Sequence, residues 1–206
     1  MIPWEGPWVD FTLSKFLGRR SGFQIRCEKA KIFRWSRASF KTMTVGSEKQ
    51  HSLLTTGPGS ICLGKSALLV IDLEDLQLTE VYRFAGVLSS WPLAKGLEGR
   101  VSLKRLRASF SGDCSEGLIR ILSCTSDDFS LRGGLAFKNR HITKAHLYLS
   151  LAPSRLKKLP RLIRSSFSDE KKGWAGVHIV FYKNQLTFSG RYGPLFQAKW
   201  QSPGLG

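Results

Sequence analysis

The sequence predicts a mainly β fold, a β-rich α+β chain: a twisted antiparallel β layer or half-barrel with a short capping helix near each end. Three observations carry this. Apolar and polar residues alternate at period two along most of the chain, and over its second half turns rich in Gly, Asn or Ser recur at strand-length intervals. The 206 residues are 42% hydrophobic and 11% aromatic, enough to bury a core, which excludes a disordered basic tail. A single domain over residues 1–206 is expected, with a helix and strands to residue 46 and a meander over 61–200.

The elements follow in order. From Pro7 to Gly18, Val9, Leu13, Phe16 and Leu17 fall on one helical stripe, with Gly18 as the stop. Alternation then begins: Phe23, Ile25 and Cys27 point one way, and a second strand runs from Ala38 to Val45. Residues 47–60, ending in Thr-Gly-Pro-Gly-Ser, read as a loop. Ala67 to Leu73, continued to Leu78, reads as strand, and Thr79 as the N-cap of a brief helix to Leu88. Strands are expected at Arg100–Phe110, Gly117–Ser123, Asp128–Arg132 (stopping at Gly133-Gly134), Leu135–Phe137 and His141–Leu151, the last two joined through Asn139. One helix, Pro153 to Ser166, interrupts the strands, with Leu156, Leu159 and Ile163 on one face and a bend at Pro160. Strands then resume at Val177–Lys183 and Leu186–Gly190, with an edge strand from Gly193 toward Trp200.

Thirty-two Lys and Arg against 15 Asp and Glu give a formal charge of +17. The excess sits at the two ends: ten basic and four acidic residues in 1–50, and ten against two in 151–206. Such a field attracts nucleic acid, anionic lipid or acidic proteins alike. The basic residues of the C-terminal helix, Arg155, Lys157, Lys158, Arg161 and Arg164, are the candidate cationic surface, and the bland reading is a solvated helix face. RNA binding would need aromatics exposed among the cations, whereas the strand aromatics recur at period two as core residues do, which disfavours nucleic acid. No apolar run reaches the roughly 18 residues of a spanning helix, and the start Met-Ile-Pro-Trp lacks the regions of a signal peptide. The chain as given is therefore expected to be soluble, either cytoplasmic or lacking a leader or anchor.

Signals for catalysis are few. Gly59, Gly64, Lys65 and Ser66 satisfy the P-loop spacing, in which loop amides and the lysine hold phosphates and the hydroxyl holds magnesium. The strand pattern that resumes directly afterwards leaves no room for the helix such a loop requires, so a turn carrying a basic residue is the preferred reading. Nucleotide or nucleic-acid binding stay as alternatives. Cys27, Cys62, Cys114 and Cys124 lack zinc spacing; Cys114 and Cys124 form a disulfide only if their strands pair. His51, His141, His146 and His178 are scattered, and His141 and His146 point to opposite faces of one strand. No metal, no cofactor and no enzymatic activity are expected.

Several segments resemble a known family. The strand Ala145–Leu151 followed by the helical run Pro153–Ile163, and the phrase Leu186-Thr-Phe-Ser-Gly190-Arg-Tyr-Gly-Pro194-Leu-Phe196, are similar to the C-terminal part of type II secretion system protein N and the related AsmA-like envelope proteins. Ile2-Pro-Trp4, the first helix and the run from Phe23 to Ala30 resemble the segment that follows the family's membrane anchor. The absence of a spanning helix before Ile2 and the higher charge depart from the family's pattern. The resemblance implies a non-enzymatic protein on the periplasmic side of the bacterial inner membrane, anchored through a segment this chain lacks. It implies secretion-system envelope proteins or anionic lipid as partners, and a concave apolar face to which Phe137, Leu147, Leu149, Ile179 and Phe181 contribute.

Overall fold

The computed structural model describes residues 3–21, 24–34, 36–47, 50–63, 69–78, 101–112, 115–139 and 141–199. The strand pairs of known register among them are antiparallel, so the expected mainly β class holds. The chain forms two compact units, 1–107 and 108–206.

The first unit opens with β1 (Trp4–Glu5) and α1 (Pro7–Ser21), then β2 (Gln24–Glu28), β3 (Lys31–Arg34), β4 (Arg37–Phe40), β5 (Thr42–Ser47), β6 (Gln50–Thr56), β7 (Gly59–Leu63) and β8 (Leu69–Leu78). Pro7 suits the first turn of α1, where an N–H has no intrahelical partner. The helix does not stop at Gly18 but continues to Ser21. A glycine inside a helix costs about 1 kcal/mol relative to alanine, a penalty that burial of Val9 and Leu13 against the strands offsets. Phe16 of the expected inward stripe points into solvent.

β2 with β3, β5 with β4, and β6 with β7 are halves of three longer strands, all interrupted at one level. At that level Lys29 takes a left-handed φ of 52°, the Lys41 N–H donates to the Glu28 carbonyl at 3.0 Å, and the Gly57 N–H donates to the Glu74 carbonyl at 2.9 Å. β8 stays continuous but bends there, with Asp75 at φ 49°. It pairs with β7 along Leu69–Leu73 and with β6 at Gln77 and Leu78. Two expectations are thus corrected: the run Ala38–Val45 is two strands, not one, and residues 47–60 are mostly strand, not loop. The polar composition of β6 hid its pairing, and the turn signal at Gly57-Pro58 marks the kink. The helix expected at 79–88 lies outside the described residues.

β9 (Val101–Gly112) crosses the boundary between the units. The second unit continues with β10 (Glu116–Thr125), β11 (Phe129–Lys138) and β12 (His141–Leu151). Next come two short helices, α2 (Pro153–Leu156) and α3 (Arg161–Ser165), then β13 (Ser168–Asp169), a 3-10 turn at Lys171–Gly173, β14 (Ala175–Tyr182), β15 (Gln185–Gly190) and β16 (Gly193–Lys199). β10, β11, β12, β14, β15 and β16 pair in that sequence, and β13 adds to β14. Lys183 and Asn184, both at left-handed φ, make the two-residue turn into β15.

Two further corrections belong here. Gly133-Gly134 does not end a strand but lies inside β11, where the Gly133 Cα passes so close to the His146 carbonyl of β12 that no side chain fits. The helix expected at 153–166 is not bent at Pro160 but divided there, because Pro160 takes an extended ψ of 144°. Facing pairs Leu149–Val177, Leu147–Ile179, Ala145–Phe181 and Ile179–Phe188 set one face of this ladder. Its core is Phe137, Ala145, Val177, Phe181 and Phe188, all buried.

Candidate binding pocket

A cavity of about 680 Å³ opens where the chain leaves β12 and returns as β14. It forms because the excursion is pinned at several points. The Ala152 N–H donates to the Asp128 carbonyl at 2.9 Å, which fixes the start of α2, and Leu156 turns inward and is buried. Pro160 ends the first helical turn, and the Arg164 N–H donates to the Pro160 carbonyl at 2.9 Å to start the second. Phe167 is then driven into the core, at 2% exposure. The Arg191 N–H donates to the Ser166 carbonyl at 2.7 Å, tying the excursion to the turn after β15. Lys172 at φ 63° and Gly173 at φ 76° reverse the chain into β14.

The floor of the cavity is apolar: Pro153, Leu156, Phe167 and Ala175. Its rim carries Lys157, Arg161 and Arg164, with Asp169 as the opposing carboxylate. Arg191 stands 3.5 Å from Asp169 and further offsets it. Guanidinium groups offer forked donors matched to carboxylate and phosphate oxygens. The chemistry suits a ligand with an apolar body and an anionic head.

Of the five sequence-predicted cations, the structure therefore brings three to one place. Arg155 is engaged elsewhere, 2.6 Å from Asp128. Its hydrogen bond holds the Asp128 carboxyl below the usual carboxylate range against the opposing effect of burial; the charges of Arg155 and Lys158 lower it further. The apolar candidates divide: Phe137 and Phe181 are core residues, while Leu147, Leu149 and Ile179 are half-buried beside them on the same ladder face. Sequence reasoning missed Phe167 and Ala175 as floor residues and Asp169 as the opposing charge.

The opposite face of β12 and β14 holds a polar cluster. The Ser150 hydroxyl donates to Glu170 Oε1 at 2.7 Å. Burial, with the Glu170 hydrogen bond and charge, pushes the Tyr148 phenol up to about 12, a rise that Arg132, 4.9 Å over its ring, opposes. His178 lies 4.7 Å from the Tyr148 ring and stacks on His146 at 5.7 Å. The histidines are thus not all scattered: cross-strand register brings these two together. Among the described residues no three His, Cys, Asp or Glu side chains are grouped to hold a metal.

The P-loop spacing falls only partly on described residues. Gly59 begins β7, and a side chain there would lie 2.6 Å from the Phe40 ring and 2.8 Å from Leu73. The glycine lets those two residues pack across the strand. Gly64, Lys65 and Ser66 lie outside the described residues, as does Cys114. Cys27 and Cys124 are buried free thiols, each pushed up to about 11 chiefly by burial. No protein-family model, no curated protein sequence and no solved structure matches the chain.

Proposed function

We propose that this protein is a non-enzymatic component of the bacterial cell envelope that holds an anionic lipid. The head group sits among Lys157, Arg161 and Arg164, and the acyl portion lies on the floor made by Leu156, Phe167 and Ala175. The observation that carries this reading is the joining of an apolar floor to three lining cations in a cavity of about 680 Å³. The resemblance of Ala145–Leu151 and Pro153–Ile163 to AsmA-like proteins also supports it, because the second of those segments supplies Pro153, Leu156, Lys157 and Arg161 to the cavity. In this reading the protein faces the periplasm at the inner membrane, held by an anchor upstream of this chain.

Native mass spectrometry of protein purified from bacterial membranes tests it. A phospholipid adduct is expected on the wild type and is reduced at least severalfold in Arg161→Glu/Arg164→Glu, whose changes fall on exposed side chains. A protein that carries no adduct, and takes up none from added phosphatidylglycerol, removes the reading.

A further inference from the structure

Helix α1 buries Val9 and Leu13 but turns its large aromatic side chains to water. A surface helix ordinarily turns its apolar stripe to the core and its charges to water. Here Trp8 and Phe11 are 54% and 66% exposed, and Trp4 and Phe16 are exposed as well. Trp4 and Trp8 lie with ring centroids 6.0 Å apart, so the patch runs unbroken from β1 onto the first turn of the helix.

The orientation of α1 is fixed by its other side. The Asp10 carboxylate accepts the Ala30 N–H at 2.6 Å and the Lys29 N–H at 3.2 Å, and the Ser14 hydroxyl accepts the Cys27 N–H at 2.8 Å. Val9 and Leu13 are buried between these polar bonds. Rotating the helix to hide Trp8 and Phe11 would break all three hydrogen bonds and expose Val9 and Leu13. The aromatics are therefore held outward.

Cations share the outward side. Lys15 Nζ lies 5.4 Å from the Phe11 ring, and Arg19, exposed, follows one turn later. Of the nearby acids, Glu5 pairs with Lys31 at 2.7 Å, and Asp10 faces the strands, where it accepts the Lys29 and Ala30 N–H groups. Tryptophan and phenylalanine interleaved with Lys and Arg are the composition that settles at the head-group level of a bilayer. A second copy of this face would bring like charges together.

We propose that α1 lies flat on an anionic lipid bilayer, with Trp4, Trp8, Phe11 and Phe16 at the head-group boundary and Lys15 and Arg19 against lipid phosphates. This surface is separate from the pocket and does not depend on what the pocket holds.

Vesicle flotation of the full chain tests it, using phosphatidylcholine vesicles and vesicles of equal parts phosphatidylcholine and phosphatidylglycerol. The wild type is expected to float with the mixed vesicles and to be released by high salt. Trp8→Ser/Phe11→Ser, with an unchanged circular dichroism spectrum, lowers the bound fraction by roughly tenfold or more. Lys15→Glu/Arg19→Glu lowers it severalfold on the anionic vesicles alone. Unaltered flotation of Trp8→Ser/Phe11→Ser overturns the proposal, as does a wild type that floats with neither vesicle. So does a dimer that the same variant dissolves, which assigns the face to self-association. Flotation lost in Arg161→Glu/Arg164→Glu but kept in the helix variants transfers membrane binding to the pocket. Flotation that depends on α1 with no lipid adduct in the mass spectrum leaves this surface standing and removes the pocket reading.

Discussion

Two helical regions of this molecule carry the same sign of charge and treat their apolar side chains in opposite ways. In α1 the dock to the strands is shared between the buried Val9 and Leu13 and the polar bonds of Asp10 and Ser14, and large aromatics are left outside. In the α2–α3 excursion the dock is apolar, through Leu156 and Phe167, and the outside is cationic. Charge alone makes the two regions look equivalent, since each end of the chain has ten basic residues. Packing separates them. A cationic surface with hidden apolar groups attracts an anion and holds it at a rim, whereas exposed aromatics gain free energy only by leaving water.

The contrast can be broken at its strongest point first. Phe167→Ala removes a fully buried ring from under the excursion and is expected to destabilise the second unit by about 3–5 kcal/mol, read by urea denaturation, with loss of lipid uptake. Asp10→Ala removes the acceptor of two backbone N–H groups in a partly exposed site and is expected to cost about 1–2 kcal/mol. If the two variants cost the same, the contrast between an apolar dock and one shared with polar bonds fails. Arg155→Ala is expected to cost about 1 kcal/mol or less, since the Arg155–Asp128 pair is over a third exposed. Its pH dependence sharpens the assignment. The folded Asp128 carboxyl lies below its ordinary 3.8, so the pair stabilises the fold above that value and the benefit is lost as pH falls below it. The wild-type advantage over Arg155→Ala should therefore be present at neutral pH and shrink toward zero in acid; an advantage that persists there points to packing of the arginine stem instead.

Much of this architecture is legible in the residue pattern. The alternation in Glu116–Thr125, His141–Leu151 and Ala175–Tyr182 marks strands, and Asn139 and Asn184 mark their turns. Elements whose residues answer to something other than burial are less legible. β6 is polar, so period-two reasoning sees a loop. Gly133 is dictated by the passing His146 carbonyl, so a strand interior looks like a strand end. For the pocket, the cations at 157, 161 and 164 were visible, but the floor needs Phe167 and Ala175, which only the return of the chain brings beneath them. For α1, the inward residues Val9 and Leu13 were read from spacing; the outward role of Trp8 and Phe11 required the Asp10 and Ser14 bonds that set the helix rotation.

The register Leu151–Ala175 closes directly behind the excursion, since β12 and β14 are neighbours in the ladder with or without it. Residues 152–174 therefore behave as a cassette. Changes of charge at the exposed Lys157, Arg161 and Arg164 leave the Leu151–Ala175 register intact, whereas changes at the buried Leu156 and Phe167 reach into the packing of the second unit.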